Sequence, residues 1–254
     1  MKKIPAVTLL FWVMKICATT LGETAGDLLA QTLNVGYAVS SLILVGIFLA
    51  VLAGQLSVNR YIPWLYWAVI LATSTAGTTM SDYMDRTLGL GYATGALILV
   101  TVLVVVLGTW RLAEKSLSVS NITTRRGELF YWTAILFSNT LGTALGDFLA
   151  DDSGLGFGGG AILIGSLLVL VVLAHYFTKI SSVLLFWLAF VLTRPFGATF
   201  GDLLTKPTAK NGLGFGTTGS SLILFGMLVA LVIYTTIQTQ RHLATTSTAS
   251  DHLI

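Results

Sequence analysis

The chain has 254 residues, of which 55% are hydrophobic and only 10% charged, and its mean hydropathy is +0.85. Soluble domains carry about a quarter of charged residues, so this composition excludes an ordinary soluble globule and indicates a polytopic membrane protein. The formal net charge of +3 is small, and we attribute it to the basic residues that orient a membrane protein. We therefore expect no nucleic-acid partner.

Eight mostly apolar segments follow one another along the chain. Each is long enough to cross a hydrocarbon core of about 30 Å, which takes about 20 helical residues, so we predict an all-α fold with eight transmembrane helices. The even-numbered segments are nearly featureless and are expected to face lipid, whereas the odd-numbered ones carry almost all of the polar residues and are expected to line the interior. The segments are 5–32, 37–56, 62–84, 92–110, 129–150, 157–177, 182–204 and 216–237.

The odd segments repeat one pattern four times. Each contains an aspartate that follows a tryptophan by fifteen residues and a glycine by five, and a glycine-aromatic pair then opens the next apolar segment. The unit is a two-helix hairpin with a carboxylate near its junction, so we predict four parallel repeats related by pseudo-symmetry. The aspartates are Asp27, Asp82, Asp147 and Asp202.

The spacing of these aspartates divides the chain into two halves. It is 55 residues within each half and 65 residues across the middle, which indicates duplication of a two-repeat unit. We therefore assign repeats 1 and 2 to residues 1–110 and repeats 3 and 4 to residues 129–237. Residues 111–128 are predicted to form a polar cytoplasmic linker, and residues 238–254 a disordered cytoplasmic tail.

The basic residues predict the topology. If each repeat is a two-helix hairpin, both termini lie on the same side of the membrane. Nine of the fourteen lysines and arginines lie at the termini or in the connections on that side, and only three, Arg86, Lys206 and Lys210, lie in the loops on the other side. The positive-inside rule then places both termini in the cytoplasm and the aspartates near the outer surface.

Polar residues recur on the odd segments at helical spacing. Counted back from each aspartate, offsets of three, four and eight residues share one face of a helix with the aspartate itself. Four such faces around a common centre would form a polar, hydrated pathway. The predicted pathway residues are Lys15, Thr19, Glu23, Asp27, Ser74, Thr78, Asp82, Asn139, Thr143, Asp147, Arg194, Thr199 and Asp202.

Three charged residues within the spans need partners, because a charge at the bilayer centre costs at least about 2.5 to 3.5 kcal/mol. They are Lys15, Glu23 and Arg194. One interpretation is an ion-pair network that only fixes helix packing. In the other, Glu23 binds a transported cation, such as a metal ion, or a proton together with Asp27 and Asp202, Lys15 is displaced or deprotonated during the cycle, and Arg194 is a permanent counter-ion.

The ligand types favour a hard cation. Carboxylate and hydroxyl oxygens suit ions such as Mn²⁺ or Mg²⁺, and Cys17 is the only cysteine, so the cysteine clusters typical of soft metals are excluded. We therefore predict a membrane transporter of small cations, with a divalent metal ion or a proton as the favoured substrate. The alternatives are a proton-coupled transporter of a small anionic or zwitterionic solute clamped by Lys15 and Arg194, and a non-transporting membrane scaffold or sensor.

Neither a Ser/His/Asp spacing nor an HExxH motif occurs, so we expect no enzymatic activity and no cofactor. The expected partners are membrane lipid and a small cation or solute, and a homo-oligomer is compatible with the sequence.

The combination of motifs resembles a known family. The strings GETAGD in the first repeat, NTLGTALGD in the third and TRPFGATFGD in the fourth, with the connection TTRRGELFYW, are similar to the COG4705 family of bacterial membrane proteins, which are built from DUF347 repeats. The resemblance covers essentially the whole chain. It implies residence in the bacterial inner membrane.

Overall fold

The computed structural model of the chain describes residues 4–119, 122 and 124–251, with residues 241–251 described by their backbone alone. Within these residues the chain forms long α-helices and no strand, as the predicted fold class requires. The helices are α1 (Leu9–Asp27), α2 (Tyr37–Ser57), α3 (Pro63–Asp82), α4 (Tyr92–Glu114), α5 (Arg125–Asp147), α6 (Gly156–Phe177), α7 (Ser182–Thr205) and α8 (Thr217–Asp251).

The odd-numbered helices form a closed inner ring in which α1 packs on α3, α3 on α5, α5 on α7, and α7 back on α1. Close approach depends on the glycine that precedes each aspartate by five residues. A Cβ at any of these glycines would come within 3.0 Å of the next helix in the ring, so the backbones pack at a distance that larger residues forbid. The four glycines are Gly22, Gly77, Gly142 and Gly197.

The even-numbered helices surround this ring, and each packs chiefly on the inner helix of the following repeat. Helix α2 lies on α3, α4 on α5, α6 on α7, and α8 on α1. In each outer helix only 22% of the most apolar stretch is buried, so the outer faces are apolar and exposed. The contact of α8 with α1 joins the last repeat to the first.

Five helices are long and apolar enough to cross a membrane: α2, α4, α6, α7 and, within α8, the stretch Thr217–Gln240. The remaining three, α1, α3 and α5, are more polar because one face of each is turned into the ring. The chain is therefore a multi-pass membrane protein with its polar residues enclosed.

Several predicted boundaries differ from the observed ones. Helices α1, α3 and α5 each continue past the aspartate into a π-helical turn, at Leu28–Thr32, Tyr83–Thr87 and Phe148–Asp152, whereas the predicted spans end at residues 32, 84 and 150 without a change of helix type. The predicted linker 111–128 is shorter, because α4 extends to Glu114 and α5 begins at Arg125.

The predicted disordered tail also differs from the observed structure. Its backbone continues α8 as far as Asp251, and residues 252–254 lie outside the described part of the chain. Glutamine, arginine, leucine and alanine in this stretch are compatible with a helix.

Aromatic side chains close the end of the ring opposite the aspartates. The residue sixteen positions before each aspartate packs against the tryptophan of the next inner helix in a tilted or edge-to-face arrangement, with ring centroids 5.5 to 6.4 Å apart. Between α3 and α5, the hydroxyl groups of Tyr66 and Tyr131 also lie 2.7 Å apart. The repeated tryptophans therefore serve packing, and aromatic rings fill this end of the ring. The ring pairs are Phe11 with Trp67, Tyr66 with Trp132, Tyr131 with Trp187, and Phe186 with Trp12.

Candidate functional site

The interior of the ring consists of levels to which each inner helix contributes one residue. Residues four apart in a helix lie on one face, so the levels follow one another every four residues. Every residue in them is at most 3% exposed. From the aspartate end inward, the levels are Asp27, Asp82, Asp147 and Asp202; Glu23, Thr78, Thr143 and Ala198; Thr19, Ser74, Asn139 and Arg194; and Lys15, Ile70, Ile135 and Phe190.

A lysine joins the aspartates of α1 and α7. Lys206 Nζ lies 2.7 Å from Asp27 Oδ2 and 3.1 Å from Asp202 Oδ1, and Gln31 donates a hydrogen bond to the other oxygen of Asp27. Lys206 follows the last residue of α7. Burial disfavours its charged form, but the carboxylates of Asp202 and Asp27 outweigh that effect and hold the pKa of Lys206 above its ordinary value.

An arginine joins the aspartates of α3 and α5 in the same way. Arg86 Nε lies 2.7 Å from Asp82 Oδ1, and its Nη2 lies 3.2 Å from Asp147 Oδ2 and 3.8 Å from Asp151 Oδ2. Its guanidinium also lies 5.4 Å from the ring centre of Tyr92. Arg86 and Lys206 each follow an aspartate by four residues, so the two bridges are related by the duplication of the half.

Sequence reasoning treated Arg86 and Lys206 as loop cations and missed these bridges. The available signal was the spacing of Asp82 from Arg86 and of Asp202 from Lys206, because oppositely charged residues four apart on a helix are neighbours.

We call the contact between two neighbouring aspartates of the ring a seam. Among the described residues, the seam between Asp147 and Asp202 and the seam between Asp27 and Asp82 have no such bridge, and the first of them contains a third carboxylate. Glu23, Asp147 and Asp202 each offer a carboxylate oxygen, and these oxygens lie within 4.8 Å of one another. The seam between Asp27 and Asp82 is the equivalent one in the duplicated structure, and there Thr143 occupies the position that corresponds to Glu23. The sequence predicted Glu23, Asp27 and Asp202 as metal ligands, whereas the structure brings Asp147 rather than Asp27 into the closest group. We call Glu23, Asp147 and Asp202 the carboxylate trio.

Arg194 fills the axis directly inside the trio. Its Nη2 lies 2.9 Å from Glu23 Oε2 and 2.6 Å from Thr143 Oγ1, and it also donates to the hydroxyl of Thr78. The Nη1 nitrogen donates to the carbonyl oxygen of Thr19 at 3.4 Å. One guanidinium thus contacts α1, α3 and α5 from its place on α7, and it is the partner that buried Glu23 requires.

Lys15 lies one level deeper and is bound differently. Its Nζ donates to Asn139 Oδ1 at 3.2 Å and lies 4.1 Å from the ring centre of Phe190. The amide nitrogen of Asn139 in turn donates to Thr73 and Ser74, at 3.0 and 3.3 Å. Among the described residues no carboxylate lies within ion-pair distance of Lys15, so an amide and an aromatic face stabilise its amine.

The structure brings every predicted pathway residue except Thr199 into these axial levels. The side chain of Thr199 instead faces Gly160 on α6, and its hydroxyl donates to the carbonyl oxygen of Pro195 at 2.9 Å. The residue three positions before this aspartate therefore points towards the outer helix, whereas the aspartate itself and the residues four and eight positions before it point to the axis. The levels of Arg194 and Lys15 are fully buried, so the predicted pathway is closed in this structure.

Fold and site together define a multi-pass α-helical membrane protein in which four sequence repeats surround a buried charged axis. A family model described as Repeat of Unknown Function (DUF347) matches residues 10–61, 65–116, 130–181 and 185–241. The chain belongs to this repeat family, which confirms the predicted fourfold repeat and the predicted family resemblance. No curated protein and no solved structure matches the chain.

Proposed function

We propose that this protein transports small cations across the membrane, with a divalent metal ion or protons as the favoured substrate. The observation that carries the proposal is the carboxylate trio, in which three buried carboxylates from three inner helices converge to within 4.8 Å. Oxygen ligands in this arrangement suit a hard cation. The proposed activity is binding and passage of an ion, without a chemical reaction.

Charge balance at the outer half of the ring supports a cationic substrate. If all are ionised, the five carboxylates of the axial levels face three basic groups, which leaves two negative charges at these levels without a partner; the exposed Asp151, which also lies near Arg86, is not among the five. Buried carboxylates without a counter-charge are expensive, and they take up a proton or bind a cation. One divalent ion or two protons would complete the balance. The groups are Glu23, Asp27, Asp82, Asp147 and Asp202 against Arg86, Arg194 and Lys206.

We further propose that all eight helices cross the bacterial inner membrane with both termini in the cytoplasm. At 1.5 Å per residue, the 19 residues of α1 span about 28 Å before the π-helical turn, which is close to the hydrocarbon thickness. The distribution of basic residues supports this orientation. The carboxylate trio would then lie near the outer surface.

In this proposal the closed axis represents an occluded state, and transport requires the ring to open. Pro195 lies inside α7, next to Arg194. A proline lacks the N–H that would bond the carbonyl oxygen of Val191, so α7 has a place at which it can bend. Bending there would move Arg194 relative to the other three inner helices.

Two other functions are compatible with particular observations. A scaffold or sensor role is favoured by the contacts of Arg194 with three neighbouring helices, because such a network would also hold a static ring together. A role in binding a small anion is favoured by the adjacent levels of Lys15 and Arg194, although an anion would have to displace Glu23 from Arg194.

Ion flux in proteoliposomes tests the proposal. We expect the wild-type protein to take up Mn²⁺, detected with a metal-sensitive dye inside the vesicles, and Mn²⁺ to raise its melting temperature in detergent. Glu23→Gln should lower the flux about tenfold or more and remove the thermal shift, because it removes one of three ligand charges.

Asp85→Asn is the matched control. Asp85 is also a buried carboxylate, but it lies in the π-helical turn after α3, where Ser81 Oγ lies 3.2 Å from its Oδ2, and it is not part of the trio. We expect its flux to be unchanged. Undiminished flux through a folded Glu23→Gln protein would contradict the proposal. Absence of any cation or proton flux through folded wild-type protein would favour the scaffold, and loss of anion binding in Lys15→Gln would favour the anion transporter.

A further inference from the structure

We propose that Arg194 is a tethered competitor for the cation site: it holds Glu23 while the site is empty and releases it to an arriving cation. Arg194 thereby weakens cation binding and speeds cation release. This inference rests on the proposed function and adds a specific role for one residue to it.

Glu23 belongs to two groups at once. Its Oε2 lies 2.9 Å from Arg194 Nη2, and the same side chain supplies an oxygen to the trio with Asp147 and Asp202. The other two members of the trio have basic partners on their outer side, Arg86 for Asp147 and Lys206 for Asp202. Glu23 is therefore the member for which a bound cation and Arg194 compete directly.

The bonds of Arg194 allow it to release Glu23 at small cost. Its Nη2 carries two hydrogens, yet four oxygens lie within hydrogen-bond distance of it. When Glu23 turns towards a cation, three acceptors remain for those two hydrogens. They are the hydroxyls of Thr78 and Thr143 and the carbonyl oxygen of Ser74.

The same residue is held beside the site in the closed ring. Arg194 is 0% exposed, and the stem of its side chain packs on Gly142 so closely that no Cβ would fit there. The guanidinium charge therefore stays beside the trio when a cation binds. Repulsion between the two charges opposes binding in the low-dielectric interior, and it favours departure of the ion when the site opens.

The broken symmetry of the ring also links Arg194 to Glu23. At the level of Arg194 the other three helices carry Thr19, Ser74 and Asn139, and at the level of Glu23 the other three carry no charge. The single cation of one level and the single acid of the next are thus each other's partners. Glu23, the acid of this pair, is also the residue that completes the buried carboxylate trio.

Equilibrium Mn²⁺ binding in detergent and the concentration dependence of Mn²⁺ flux in proteoliposomes test this role. We expect Arg194→Gln to bind Mn²⁺ about tenfold tighter than the wild-type protein, because a neighbouring positive charge is removed. Its apparent KM and its maximal flux should fall together, since tight binding slows release. Unchanged or weaker binding by a folded Arg194→Gln protein would overturn the inference.

A second variant keeps the test decisive if Arg194→Gln does not fold. Thr143→Val removes an acceptor of Arg194 Nη2, so Arg194 should hold Glu23 more firmly and Mn²⁺ binding should weaken about threefold. The matched control is Thr79→Val on α3, whose buried hydroxyl donates to Ala76 of its own helix at 3.3 Å, and we expect it to bind like the wild type. Unchanged or tighter binding by Thr143→Val would contradict the competitor role.

The two proposals fail in different ways. If folded wild-type protein neither binds nor transports Mn²⁺ or protons, the proposed function fails, and the role of Arg194 fails with it. If the wild-type protein binds and transports Mn²⁺ but the Arg194 and Thr143 variants bind it with wild-type affinity, only the role of Arg194 fails.

Discussion

The closed ring of inner helices makes a sharp prediction for Gly22 on α1. A Cβ at Gly22 would lie 2.9 Å from the backbone carbonyl carbon of Ser74 on α3 and closer still to the Ser74 side chain, so the two helices must move apart. Overpacking of this kind costs about 1 to 3 kcal/mol. In Gly22→Ala, the better helix propensity of alanine offsets at most about 1 kcal/mol of this overpacking cost. We therefore expect a net loss of stability of up to about 2 kcal/mol.

Gly108→Ala is the matched substitution for this experiment. Gly108 lies within α4 with nothing within 4 Å of the position of an added Cβ, so alanine there adds helix propensity without a clash. The assay is thermal unfolding of both variants in the same detergent. We expect Gly22→Ala to melt several degrees below the wild type and Gly108→Ala at or above it. Equal melting temperatures for the two variants would refute the close packing of α1 on α3.

Two further predictions concern the ends of the inner helices. Burial raises the pKa of Asp85 from 3.8 to about 6, so the folded state binds more protons than the unfolded state between those values and stability falls as pH rises from about 4 to about 6. Asp85→Asn should remove the contribution of Asp85 to this fall and raise the melting temperature at pH 7.5, and a fall as steep as that of the wild type in the variant would contradict this explanation. At the aromatic end, Tyr66→Phe and Tyr131→Phe should each cost about 1 kcal/mol, with no further loss in the double variant, because they remove the same hydrogen bond; additive losses in denaturant unfolding would show that the two hydroxyls do not interact.

The sequence predicted which residues share a helix face, because that depends only on spacing along one helix. Glu23 and Asp27, four residues apart, do lie on the axial face of α1, and the equivalent positions of the other repeats follow them. Repetition of a pattern also predicts that the four faces are equivalent. Composition alone was enough to predict a membrane protein made of helices.

The sequence could not predict which neighbours those faces meet. Asp27 was grouped with Glu23 because the two are close along the chain, but Lys206 and Gln31 hold the carboxylate of Asp27, and Asp147 from α5 takes its place beside Glu23 and Asp202. The order of helices around a ring depends on contacts between distant segments, about which a repeat period carries no information. The side chain of Thr199 points to α6 for a related reason, since an offset of three residues lies at the border between the axial and the outer face.

The packing of α8 on α1 has a consequence for how the protein is made. Ser221 on α8 bonds Thr24 on α1 at 2.9 Å, and the thiol of Cys17 donates to the carbonyl oxygen of Leu224 at 3.4 Å. A ribosome delivers α1 before α8, so one flank of α1 stays uncovered by its own chain until α8 has been made. A nascent chain halted before Thr217 would expose that flank to any neighbour, including the α8 of another copy, and synthesis of α8 is the step that covers it.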